Sequence, residues 1–310
     1  MRLSDASRYE ILFDLPKGAA DQREVGAYKT KTIRAGDSIE VEAFPMVRIS
    51  DGAKREAKRR KSTAAQDALN LNNTRKHVRR LLEENFSEDD YALHPTFNYG
   101  VIDPGMINKD DLRKEMERAG LPMDEDDARR MIKNYIKRIR RHIKRMGGDP
   151  KALRYLYTIE STKEPKGDEP DPLPAHYHYH MAIGRIPGIL EMEDLIAMWT
   201  DGYAKCEKLD FRFNGLEGFA KYITKQKKIM RRWARSKNLR EPKETISHRK
   251  ISRKRAALIA DDVRANAREI FEKLYPGYRL EAAEVKHSDF VAGAFIYARM
   301  RKITTTRRRR

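Results

Sequence analysis

Cysteine and long apolar runs are nearly absent from this chain of 310 residues. The single cysteine, Cys206, excludes an intramolecular disulfide and a cysteine-based zinc finger. No apolar run approaches the ~18 residues that a membrane-spanning helix needs, and the first residues lack the apolar core of a secretory signal. We therefore expect a protein of the reducing cytoplasm with no membrane partner.

Acidic residues are too few to balance the basic ones. The chain has 66 lysines and arginines against 47 acidic residues, which gives a net charge of +19 and a pI of about 9.8. Residues 221–255 contain fifteen of these cations and only two acids. Such an excess favours a polyanionic partner, nucleic acid above all. A glycine-rich phosphate loop ending in Lys-Ser/Thr is missing, which excludes an attached P-loop helicase.

Hydrophobic periodicity predicts alternating strands and helices. Apolar residues between Met131 and Met146 recur with a period near 3.6, so a helix should begin at the acidic residues 124–127 and end at Gly147. Strands are predicted at residues 91–99, 153–159, 175–184 and 203–213, the first at a sheet edge or a bulge because it contains Pro95. A loop joins the second strand to the third, which indicates a hairpin. We expect an α+β fold: a central antiparallel sheet of about five strands with helices packed on it.

Three histidines at spacing two lie in the strand predicted at residues 175–184. Side chains at i, i+2 and i+4 share one face of a strand, so His176, His178 and His180 should point the same way. Two adjacent imidazoles on a rigid strand are suited to bind a metal ion. The ligand pair is either His176 with His178 or His178 with His180. We favour the second pair because the apolar residues 181–183 follow it directly.

A carboxylate is placed to complete this site. Glu160 ends the strand before the histidine strand, so the predicted hairpin would bring it beside the imidazoles. Two histidines and one carboxylate can hold Mg²⁺ or Mn²⁺ and leave positions open for phosphate oxygens, with imidazole better suited to Mn²⁺. A structural zinc site is the alternative, but no cysteine or second histidine pair nearby completes a tetrahedron.

A helix predicted at residues 215–230 carries a tyrosine and a lysine on one face, Tyr222 and Lys225. A phenol has a pKa near ~10, so a nucleophilic Tyr222 needs help to ionise, and the Lys225 ammonium could stabilise a phenolate or the transition state. The structural alternative is a core aromatic. A group of basic residues in and after this helix is expected to contact DNA phosphates: Lys221, Lys227, Lys228, Arg231, Arg232, Arg235, Lys237 and Arg240.

This combination of His178-Tyr179-His180 with a later helix containing Tyr222-x-x-Lys225 resembles the HUH endonucleases, and within them the rolling-circle replication initiators of bacteriophages and plasmids. The resemblance covers residues 86–245, so we expect a nicking domain there. Residues 1–85 are expected to be a basic extension of unknown role, and residues 246–310 a helix and strand segment with a basic tail. One tyrosine occupies the helix motif, so the chain is similar to the single-tyrosine members.

The resemblance implies a reaction and its partners. Metal-assisted attack of Tyr222 would nick one strand of single-stranded or extruded origin DNA. It would leave a 5′-phosphotyrosine linkage and a 3′-hydroxyl that primes a polymerase, with a host helicase opening the duplex in the cytoplasm of a bacterial host. Two alternatives stay open: a transposase or relaxase with the same chemistry, and a non-catalytic nucleic-acid-binding protein.

Overall fold

The computed structural model describes residues 20–49, 64–99, 109–161, 176–211, 216–224, 233–287 and 293–303. The chain divides into two compact units. Unit 1 combines Met1–Glu84 with Glu241–Arg310, and unit 2 is Asn85–Arg240. Each unit contains a five-stranded antiparallel sheet with helices, so the expected α+β class is confirmed, with two such sheets instead of one.

The sheet of unit 1 has the strand order β8-β1-β2-β10-β9. Its elements are β1 Ala20–Ala35, β2 Ser38–Ile49, α1 Ala64–Asn85, β8 Lys243–Ser247, α6 Arg253–Asp261, α7 Val263–Leu274, β9 Tyr278–His287 and β10 Ala294–Lys302. Strands from both ends of the chain therefore build one sheet, whereas the sequence-based division treated residues 1–85 and 246–310 separately. The pairing of β2 with β10 joins segments about 250 residues apart, and local patterns carry no sign of such a pairing.

The two faces of this sheet are buried in different ways. Ile39 and Val41 point toward an apolar cluster that includes Ile259 of α6 and Phe271 of α7. The alternate residue Glu40 points to the other face and is buried with Arg79 and Arg80 of α1. The turn between β1 and β2 requires Gly36, whose φ is 54° and whose added Cβ would lie 2.2 Å from the Glu83 carbonyl oxygen.

The sheet of unit 2 has the order β6-β3-β5-β4-β7. Its elements are β3 Tyr91–Phe97, α2 Lys109–Arg118, α3 Glu125–Arg145, β4 Tyr155–Ser161, β5 Tyr177–Ile183, α4 Met192–Ala197, β6 Gly202–Lys208, α5 Glu217–Thr224 and β7 Ala234–Arg235. The predicted hairpin of β4 and β5 is confirmed. The edge position predicted for β3 is wrong, since this strand lies between β5 and β6. Pro95 lacks an N–H, and the paired positions of β3 and β5 skip from Leu93 to Thr96 around it.

Helix α3 covers one face of this sheet. Its side chains Ile132, Tyr135, Ile139 and Ile143 are fully buried in a core shared with the strands. At its start the Asp124 carboxylate accepts a hydrogen bond from the Asp127 N–H, and at its end the N–H groups of residues 147 and 148 donate to the carbonyls of residues 144 and 143. The helix predicted from the 3.6-residue period is therefore confirmed together with both of its ends.

None of the helices in the described segments combines the length and apolar character needed to cross a membrane.

Candidate metal and nucleophile site

The histidines of β5 lie on the face of the sheet opposite α3. Tyr179 and Met181 point into the core with α3, so their neighbours His178 and His180 point the other way. In the β4–β5 pair, Glu160 is directly opposite His178. Directly opposed residues of an antiparallel pair share a face, and the hairpin therefore brings the carboxylate to both imidazoles.

Three ligand-type atoms converge at this point. Glu160 Oε2 lies 3.1 Å from His178 Nε2 and 2.7 Å from His180 Nε2. The three residues together satisfy the geometry of a group that could hold a metal ion, with their ligand atoms all within 4.8 Å of one another. Hydrogen bonds from His178 and then His180 hold the pKa of the Glu160 carboxyl far below its usual range, against the opposing effect of burial. The carboxylate is thus ionised and available as a ligand.

The donor set is compatible with a divalent ion. Two imidazole nitrogens and one carboxylate oxygen come from two adjacent strands and leave coordination positions open. His176 precedes β5, and its ring stacks on Tyr99 with centroids 4.0 Å apart and planes 9° apart. The alternative pair of His176 with His178 is therefore not the pair that the structure brings together with Glu160.

A fourth histidine, which was not among the predicted ligands, borders the site. The β3–β5 register, in which Leu93 is paired with Met181 and Thr96 with His178, places His94 opposite His180. The Nδ1 atoms of His94 and His180 are 2.8 Å apart. Burial, and next to it the charge of His180, lowers the pKa of His94 to about 4, so its imidazole is neutral at neutral pH. The one indication of His94 in the sequence was its position in the strand predicted at residues 91–99.

Helix α5 brings Tyr222 to the same face. Buried Ala220 and Ile223 fix the helix, and the Thr224 hydroxyl donates to the Ala220 carbonyl at 2.8 Å. The Tyr222 ring centroid lies 5.4 Å from that of His180, and 56% of this residue is exposed. The phenol is therefore beside the histidine and open to a ligand from solvent.

Of the residues expected to contact DNA, four lie in described segments. Lys221 is exposed and pairs with Glu217 at 3.2 Å. Arg235 lies over the Trp233 ring, 6.0 Å from its centroid, while Lys237 and Arg240 are exposed. The other four lie outside the described residues: Lys227, Lys228, Arg231 and Arg232. Lys225, predicted to act with Tyr222, also lies outside them.

Comparison with protein families gives a match over part of the chain. No curated protein and no solved structure matches the chain. A family model described as replication-associated protein ORF2 matches residues 118–227, which include Glu160, His178, His180 and Tyr222. This match supports a replication initiator, and with it DNA as the partner. Over residues 118–227, the chain is similar to the replication-associated proteins of the ORF2 family.

Proposed function

We propose that the chain is a metal-dependent endonuclease that nicks one DNA strand at a replication origin with Tyr222 as the nucleophile. The observation that carries this proposal is the convergence of Glu160, His178 and His180 with the Tyr222 ring on one face of the unit 2 sheet. The nicking domain is the one assigned to residues 86–245. The similarity of residues 118–227 to replication-associated proteins supports origin DNA as its substrate.

The three ligand residues would hold Mn²⁺ or Mg²⁺, which when bound neutralises phosphate charge and polarises the scissile phosphate. The Tyr222 oxygen forms a bond to phosphorus while the bond from phosphorus to the 3′ oxygen breaks. The phenolic proton is lost, the 3′ oxygen gains a proton, and the 5′ phosphate stays on the tyrosine. Lys225 is assigned to stabilise the phenolate. The exposed position of Tyr222 leaves it accessible to a DNA single strand from solvent.

His94 is given a positioning role in this proposal. A metal-bound His180 Nε2 carries no proton, so the ring's proton is on Nδ1, where it can be donated to the unprotonated Nδ1 of His94. This hydrogen bond selects one tautomer and one orientation of His180. His94 itself touches neither the ion nor the substrate.

The test is a covalent adduct assay on single-stranded DNA. The full-length protein is incubated with Mn²⁺ and a pool of oligonucleotides with a random core, labelled either at the 3′ or at the 5′ end. Only the 3′ label should migrate with the protein on a denaturing gel, because the tyrosine retains the 5′ phosphate of the downstream fragment. Sequencing the adducted DNA then gives the nicking site.

Two tyrosines provide the variant and its matched control. Tyr222→Phe should abolish the adduct. Tyr203→Phe, at another exposed tyrosine of unit 2, should leave it unchanged. An adduct that persists in Tyr222→Phe would reject the assigned nucleophile. A wild-type protein that binds the pool without any adduct would instead identify a nucleic-acid-binding protein.

A further inference from the structure

Helix α3 carries a basic surface on the side of the sheet away from the metal ligands. Its buried residues pack against the face that contains Tyr179 and Met181, and the Tyr179 hydroxyl donates to the Ala128 carbonyl at 2.7 Å. His178 and His180 point to the opposite face. A phosphate bound on the outer surface of α3 is therefore separated from the Tyr222 site by the thickness of the sheet and the helix.

The outer surface of α3 is exclusively positive after its first turn. Residues 128–148 include nine lysines and arginines and no acid. Four exposed cations at i, i+4, i+7 and i+11 form a straight row, here called the α3 stripe: Lys133, Lys137, Arg140 and Lys144. At 100° per residue they fall within an arc of roughly 60°, and the rise from first to last is about 16 Å. Exposed Arg130 and Arg141 flank the row.

Among the described residues, the cations of the α3 stripe lack the carboxylate partners that neighbouring arginines of the helix have. Arg129, Arg130 and Arg138 pair with Glu125, Asp127 and Asp201 respectively. Within the described parts of the chain, none of the four stripe residues pairs with a carboxylate. Like charges at i,i+4 destabilise a helix. The repulsion among these four cations is therefore unfavourable in the free protein, and a bound polyanion would relieve it.

The side-chain types on the outer surface of α3 indicate which form of nucleic acid it would bind. Proteins that bind single strands combine cations with exposed aromatic rings on which bases stack. Every exposed residue of α3 between positions 130 and 145 is a lysine, an arginine or Asn134, without an aromatic ring. The Tyr155 ring of β4 lies beside the row but is half-buried under Arg140, whose Cζ is 5.9 Å from the ring centroid. A rigid helix that presents cations without an exposed ring fits the regular phosphate backbone of a duplex, read without regard to sequence.

We propose that the α3 stripe binds the phosphate backbone of duplex DNA. That the duplex is DNA, and that it lies next to the nicked segment, both rest on the proposed function. The basic surface itself rests on the geometry of α3. The protein would then hold two DNA segments at once: a single strand at Tyr222 and a double-stranded flank on the back of the same sheet.

The experiment removes the row and leaves the nicking site intact. All four stripe residues are changed to glutamine, a good helix former. The charge-matched control changes four exposed cations of unit 1 to glutamine: Lys254, Arg264, Lys273 and Lys286. Binding of a fluorescent duplex of about 20 base pairs, two helical turns, is measured by anisotropy at several salt concentrations. Adduct formation on single-stranded DNA and the thermal midpoint are measured in parallel.

We expect the stripe variant to bind the duplex at least tenfold more weakly than wild type, equally for unrelated duplex sequences. For this variant, the plot of log affinity against log salt concentration should be less steep. Its slope should decrease in magnitude by about 0.9 for each phosphate that the variant no longer neutralises. The control should stay within twofold of wild type, and both variants should keep adduct formation. A wild-type protein without adduct but with a stripe-dependent duplex affinity would reject the proposed function and retain this surface.

Three results would overturn the inference. The first is a stripe variant whose duplex affinity lies within twofold of wild type. The second is an equal loss in the charge-matched control, since net charge alone would then explain binding. The third is a stripe variant that loses binding to vesicles of anionic lipid while its duplex affinity is unchanged, because the row would then serve a membrane surface.

Discussion

The Nδ1 atom of His94 lies 2.8 Å from the Nδ1 atom of His180, on the side of the His180 ring that faces away from Glu160. The two rings meet edge to face, with centroids 4.8 Å apart and planes at 83°. His180 therefore has both nitrogens engaged, Nε2 with the carboxylate and Nδ1 with the second imidazole. Because both nitrogens of the His180 ring are held, the ring has one orientation available, as a preformed metal site requires.

The first prediction concerns this contact. His94→Leu removes the partner of His180 Nδ1, and we expect the affinity for Mn²⁺ to fall 10- to 100-fold, the usual cost of losing the hydrogen-bond partner of a metal-ligating histidine. His94→Asn places an amide atom near the position of Nδ1 and should restore most of the affinity. Titration calorimetry with Mn²⁺ measures both. Equal affinity losses in the leucine and asparagine variants would reject the positioning role.

The second prediction concerns Glu160. Mn²⁺ at a hundred times its Kd should stabilise the wild-type protein by about 2.7 kcal/mol, seen as a rise in the thermal midpoint. Glu160→Gln keeps the shape of the side chain but loses the ligand charge, so most of this rise should disappear. The matched control is Glu207→Gln at an exposed carboxylate on β6 of the same sheet, which should keep the rise. A full rise in Glu160→Gln would show that the carboxylate is not a ligand.

The sequence predicted those parts of the site that come from segments adjacent along the chain. The pairing of Glu160 with His178 follows from a hairpin between two consecutive strands, and the alternation of β5 then places His180 beside them. Helix α3 was predictable for the same reason, since its apolar period and its end signals are local. Tyr222 was predicted by its motif, although only the fold brings its ring to His180.

The parts that escaped prediction depend on contacts between distant segments. His94 reaches His180 because β3 inserts between β5 and β6, whereas Pro95 predicted an edge strand or a bulge. The helical part expected within residues 246–310 consists of two helices, α6 and α7, because the Asp262 carboxylate accepts the Ala265 N–H and begins the second. The sheet of unit 1 pairs the two ends of the chain, a relationship that no local period encodes.

The third prediction tests the packing of α3. Ile139 is fully buried in the core that also contains Trp199. Ile139→Ala should lower the free energy of unfolding of unit 2 by about 2–5 kcal/mol, through lost burial and the cavity left behind. Met146→Ala, at the end of the same apolar series but 51% exposed, should change it by less than about 0.5 kcal/mol. Both tryptophans, Trp199 and Trp233, lie in unit 2, so their fluorescence in a urea titration reports this transition.

The fourth prediction concerns the buried charges of unit 1. Glu40 of β2 pairs with Arg79 and with Arg80 of α1, the latter at 2.6 Å. Burial raises the pKa of the Glu40 carboxyl, but the charges of Arg80 and Arg79 outweigh this effect and lower the pKa from 4.5 to about 2. A carboxyl with a lowered folded-state pKa stabilises the protein above its unfolded-state pKa. This stabilisation is lost as the pH falls through the folded-state value.

Glu40→Gln removes the carboxylate that both buried arginines share and leaves Arg80 with Glu42 at 3.1 Å, so it should destabilise the protein at neutral pH by about 3–5 kcal/mol. The difference from wild type should shrink as the pH falls from 4.5 toward 2, because the protonated Glu40 of the wild type is then as neutral as glutamine. Far-UV circular dichroism in urea at a series of pH values measures it. Glu284→Gln at an exposed position of β9 should show no such convergence. A difference that stays constant across this whole range would mean that the pair with the arginines does not set the ionisation of Glu40.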